Sequence, residues 1–80
     1  MPRYYFHLLH PEREPVRDDE GLAFEDDAAA RREGMLSLGE MIKDASSAHP
    51  MPYCVSVQIV REEVGIIDLL TGHLSVQSQP

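Results

Sequence analysis

Residues 3–9 alternate with a period of two, placing Tyr4, Phe6 and Leu8 on one face and Arg3, Tyr5, His7 and Leu9 on the other. Aromatic residues and leucine dominate, so the segment is predicted as a strand with its Tyr4 face inward, because the opposite face carries Arg3 and His7. Residues 53–60 alternate in the same way. Tyr53, Val55, Val57 and Ile59 form the inward set against Cys54, Ser56, Gln58 and Val60. Between these strands the period changes to that of a helix, from Asp26 or Asp27 to about Ala45. Ala28, Met35, Leu38, Met41, Ile42 and Ala45 fall on one stripe at about 100° per residue. Arg31 falls inside that stripe and Leu36 outside it. Gly34 lies near the stripe, where it would let a strand approach closely.

Punctuation between the elements fits this reading. Pro11 and Pro15 remove backbone donors, so residues 10–21 are a loop with a short strand near Val16. In Asp18-Asp19-Glu20-Gly21 the glycine can take positive φ. Leu22 and Phe24 follow on a short extended piece. The acids at 25–27 suit the positive end of a helix, and Asp26 or Asp27 can cap it. Ser46 to Pro52 stops the helix and links it to the next strand. Arg61 to Gly65 reads as a hairpin turn with Gly65 at the special position. Residues 66–70 return as its partner strand. Asp68 is expected to face water and to carry Ile66 and Leu70 with it, leaving Ile67 and Leu69 inward. Leu74 and Val76 alternate as a short edge strand would. The order β-β-α-β-β predicts a two-layer α+β domain, one amphipathic helix on a small antiparallel sheet. It is expected to span residues 1–77 as a single domain, with 78–80 a disordered tail.

Three segments resemble a family of short bacterial domains, domain-of-unknown-function family 6894. They are Met1-Pro2-Arg3-Tyr4-Tyr5-Phe6-His7-Leu8, Asp19-Glu20-Gly21-Leu22-Ala23-Phe24 and Asp27-Ala28-Ala29-Ala30-Arg31-Arg32-Glu33. The likeness covers about residues 1–70. Glu63-Val64-Gly65 departs from the aspartate–glycine turn usual in that family. The resemblance implies a small stand-alone cytoplasmic protein and supplies no catalytic residues. A looser, architectural likeness is to HicB-type antitoxins, which also place a strand and an acidic turn before a helix that opens with an acid and alanines.

Length and charge narrow the partners. The chain has 80 residues, and folding at that size buries roughly 60% of the unfolded surface. A core this small rarely supplies more than about 3–5 kcal/mol. Cys54 is the single cysteine, so no internal disulfide adds support, and a lone thiol suits a reducing compartment. Association is the expected substitute. Net charge is −7, and residues 12–27 alone carry −6. That distribution disfavours direct binding of nucleic acid. No apolar run approaches the length of a membrane span and no signal peptide is evident, so a cytoplasmic location is expected.

Candidate chemistry is thin. Asp18-Asp19-Glu20 and Glu25-Asp26-Asp27 lack the spacing of a calcium loop. His7 and His10 lie three apart, on opposite faces of an extended strand, and no local ligand pair is present among His7, His10, His49, His73 and Cys54. Cys54 has no glycine-rich turn or helix start beside it to lower its pKa. No metal, no cofactor and no catalytic residue is expected. The outer sheet face remains, with Tyr5, His7, Leu9, Val60, Ile66 and Leu70 as interface candidates. One helix can cover only one face of the sheet, and this one is short of charge. A self-associating, non-enzymatic interaction module, most simply a homodimer, is the expected function. An antitoxin-like regulator that binds a basic partner protein is the alternative.

Overall fold

A computed structural model describes residues 1–79; Pro80, the end of the expected tail, lies outside the described residues. The elements are β1 (Arg3–Leu9), β2 (Leu22–Ala23), α1 (Asp27–Ala48), β3 (Tyr53–Arg61) and β4 (Gly65–Leu74). The strands form one sheet in the order β2-β1-β3-β4, with every neighbouring pair antiparallel. Helix α1 packs on one face, over β3 and β4. This is the expected two-layer α+β arrangement.

Alternation decides what is buried. Tyr4, Val55, Val57 and Ile59 are completely covered, together with Ala30 and Ala45 of the helix. Phe6, Leu8, Phe24, Leu38, Met41, Ile67 and Leu70 pack around this centre. Phe24 stands edge-on to both Tyr4 and Phe6, with ring centroids 6.0 and 5.8 Å apart. Its neighbour Leu22 does not share that burial and remains exposed.

The helix begins where its capping chemistry places it. Asp26 is the cap, its carboxylate accepting the Ala29 amide at 2.9 Å. The helix continues one turn beyond Ala45, to Ala48, where the Ser46 and Ser47 hydroxyls donate back to the carbonyls of Lys43 and Asp44. Its buried line runs through Ala30, Gly34 and Ala45, so the expected stripe is rotated: Ala28 and Met35 are exposed. Gly34 is there because the sheet is close. A Cβ at that position would stand 2.9 Å from Ile59 Cδ1 and 3.0 Å from Leu70 Cδ1.

The second half of the hairpin departs from simple alternation. Val60 pairs with Ile66 but Ile59 pairs with Asp68, so Ile67 is an extra residue and the register shifts. An inserted residue reverses which face every later side chain takes. Leu70 therefore faces the helix opposite Val57, and Leu69 faces outward opposite Gln58. This corrects the expected placing of both. Asp68 also lies on the helix side, where its carboxylate accepts from Arg31 Nε at 3.0 Å. That pairing gives Arg31 its partner inside the apolar stripe. The strand continues unbroken to Leu74 rather than stopping at residue 70.

The acidic loop closes the edge of β1. Leu8 and Val16 exchange two backbone hydrogen bonds of 2.9 Å, forming the short bridge expected near Val16. Between that bridge and β2, Asp18 stands in for a strand. One carboxylate oxygen accepts the Phe6 amide at 3.1 Å, and the other accepts the amides of Glu20 and Gly21 at 3.1 and 3.0 Å. Gly21 has φ 69°, and a Cβ there would lie 2.7 Å from the Tyr4 carbonyl oxygen. Glycine thus meets both the turn and the close approach.

Candidate functional site

Antiparallel pairing arranges the outer sheet face in rows. Tyr5, Val60 and Ile66 form one row across β1, β3 and β4, and His7, Gln58 and Leu69 form the next. Leu9, Ser56 and Thr71 follow, and then Cys54 with His73. Five of the six interface candidates thus share this face: Tyr5, His7, Leu9, Val60 and Ile66. Leu70 is not among them, and Leu69 takes its place. Ile66 and Leu69 are 64% and 58% exposed. Further along, Ser56 and Thr71 satisfy one another at 2.8 Å. His7 is held at the β1 edge, its Nδ1 accepting the Asp18 amide at 3.0 Å.

Burial works to raise the Asp18 carboxyl pKa, but the amides of Gly21, Phe6 and Glu20, with His7 nearby, outweigh it and leave the carboxyl below its ordinary 3.8. The motif read as a turn is therefore also the edge seal of the sheet.

The opposite end of the sheet gathers side chains that sequence reasoning left apart. Strand β1 ends where β3 begins and β4 ends, and α1 delivers its C-terminus to the same place. His10, His49, His73, Arg13, Tyr53 and Cys54 all line a cleft there of about 270 Å³. Strand polarity combined with sheet order carries this signal, since all six lie at or near an element end. Arg13 approaches His49 Nδ1 at 3.3 Å. A guanidinium has no acceptor, so in that contact Arg13 is the donor. Burial, then the neighbouring Arg13 and His49, hold the His10 imidazole below its ordinary 6.5, so it favours the neutral form. His49 lies against the Tyr53 ring at 5.1 Å. Yet the groups do not converge: among the described residues no three His, Cys, Asp or Glu side chains could hold one metal ion.

A third cluster joins the layers at the start of α1. The Tyr4 hydroxyl donates to Asp27 Oδ1 at 2.6 Å, and Arg61 donates to the same oxygen at 3.0 Å. Burial, then the Asp27 hydrogen bond and charge, raise the Tyr4 hydroxyl above its ordinary 10.0, with Arg61 opposing. The Tyr4 bond above all, helped by Arg61 and Arg31 against the effect of burial, holds Asp27 below 3.8. Each shift strengthens the pair as a clamp of neutral phenol on ionised carboxylate and takes it away from proton transfer near neutrality.

Among the described residues no helix is long and apolar enough to cross a membrane. The chain matches the model of the domain of unknown function DUF6894 over residues 3–69, and it belongs to that family. No curated protein and no solved structure matches it.

Proposed function

From that membership, which assigns no activity, and from the uncovered outer face of the sheet, we propose that the chain is a non-enzymatic interaction module that self-associates as a homodimer through that face. The observation that carries this reading is the row of Tyr5, Val60 and Ile66, flanked by Leu69, on a face the single helix cannot reach. The total accessible surface is 5757 Å², where a compact monomer of this mass shows about 4,900 Å². Residues 75–79, all exposed beyond β4, contribute to that excess. A twofold contact lets one patch cover its own copy, and it adds apolar burial at roughly 25 cal/mol per Å², which a small core lacks. The polar stretch of the face adds little cost, since Ser56 and Thr71 already satisfy each other. Asp18 and its acidic neighbours lie along the β1 edge, outside the proposed contact.

Sedimentation velocity at tens of micromolar tests the proposal. Wild-type protein is expected to run as a dimer. Ile66→Glu and Leu69→Glu are expected to run as monomers with their helical circular dichroism intact. Wild-type protein that is monomeric throughout, or a dimer untouched by both substitutions, refutes the proposed contact.

A further inference from the structure

The helix-side face of the sheet is covered unevenly. Each strand takes about 4.8 Å of sheet width, so a helix about 10 Å across covers two strands. α1 lies over β3 and β4. On the β1 side, Phe24 covers Tyr4 and part of Phe6. The remainder is a groove of about 410 Å³ between α1 and the acidic loop. Phe6 and Leu8 form its floor with Met41 of the helix, and the covered Val57 lies directly beneath. Glu40 and Asp44 of α1 stand on one side and Asp18 on the other, with Arg17 the one basic residue of the lining.

We propose that this groove docks one basic amphipathic helix from a partner protein other than this chain. An apolar floor between helix and loop receives an apolar stripe, as helix-in-groove recognition requires. The Glu40 and Asp44 carboxylates select lysine or arginine along the helix-side flank of that stripe, and the charge of Asp18 across the groove adds to the acidic field. A second copy of this chain is a poor occupant. It carries net charge −7, and its one helix, with four acids against three bases, already buries its apolar line in its own core. The groove lies on the face opposite the self-association patch, so the two contacts are compatible and stand or fall separately.

The probe is a synthetic leucine–lysine amphipathic peptide of four helical turns, about 14 residues, with a leucine–glutamate peptide of the same pattern as its counterpart. Binding to the full chain is read by methyl and amide NMR shifts and by fluorescence anisotropy. The lysine peptide is expected to bind, to shift Leu8, Met41 and Val57, and to weaken as salt rises. Glu40→Lys with Asp44→Lys should weaken it about tenfold, as loss of complementary rim charge does. Glu62→Lys with Glu63→Lys, the same charge change at the exposed β3–β4 turn, should leave it nearly unchanged. Ser37→Trp, which fills the groove from the helix, should abolish the methyl shifts. Equal weakening by both charge-reversed pairs would mean unspecific attraction and would overturn the proposal. Equal binding of the glutamate peptide, or shifts confined to the outer sheet face, would overturn it as well.

Discussion

Ile59 and Asp18 show how single residues set the character of this domain. Ile59 is fully buried on β3 beneath the helix, facing Phe6 and Asp68 across the neighbouring strands and Gly34 above. Truncating it removes buried methyl groups and leaves a cavity, so Ile59→Ala should cost about 2–5 kcal/mol in denaturant melts. For a domain of this size that is most of its stability. A loss within the range of surface changes would mean the β3 face is misassigned. Asp18 acts through protonation instead. Its carboxyl is held below the ordinary value when folded, so its contribution is complete above that value and is lost as pH falls through the folded pKa. Wild-type stability should therefore drop below about pH 4, and Asp18→Asn should flatten part of that drop while lowering stability at neutral pH. Parallel melts at neutral and acid pH check this. Identical acid losses in the two proteins would exclude Asp18 as an edge seal.

At the scale of elements, the helix carries two glycines with opposite consequences. Nothing lies within 4 Å of a Cβ at Gly39, whereas one at Gly34 meets Ile59 and Leu70. Gly39→Ala should therefore raise stability by about 1 kcal/mol through helix propensity alone. Gly34→Val should lower it by about 1–3 kcal/mol by overpacking. Thermal melts of the two variants separate these signs, and a stabilised Gly34→Val would contradict the close approach of α1 to the sheet. The same scale shows where sequence pattern suffices. Tyr4, Phe6 and Leu8, and Val55, Val57 and Ile59, are legible because strict alternation over a half-covered strand has one solution. The start of α1 is legible because Asp26 offers an oxygen where free amides need one. Strand β4 is not. Its apolar run Ile66-Ile67, then Leu69-Leu70, fits either phase, and the extra residue at Ile67 decides the phase through a pairing with β3 that no local pattern encodes. Asp68 adds to the ambiguity, because it faces the helix with Arg31 as partner where a solvent-facing charge is the simpler expectation. The cleft of His10, His49 and His73 is not legible in the sequence for a related reason: the four elements that supply it meet only once strand polarity is combined with sheet order.

For the whole molecule, one helix on a sheet leaves two surfaces to be accounted for, and their chemistry differs. The outer face is apolar at one end and self-satisfied further along, which suits a copy of itself. The helix-side groove is apolar and rimmed with acid, which suits a basic partner. In the proposed dimer, charge would limit further growth: with net −7 per chain, concentrated beside β1, copies repel except where apolar area is covered. Association through the outer face should therefore tighten with added salt, while docking in the groove should weaken. The most direct measurement is isotope-filtered NMR on an equal mixture of labelled and unlabelled chains, which reports only contacts between copies. A dimer through the outer face gives contacts from the Ile66, Leu69 and Val60 methyls to the other copy's outer face, the Tyr5 ring among them. Contacts from Leu8, Met41 or Val57, or none at concentrations where the protein sediments as a dimer, would contradict it.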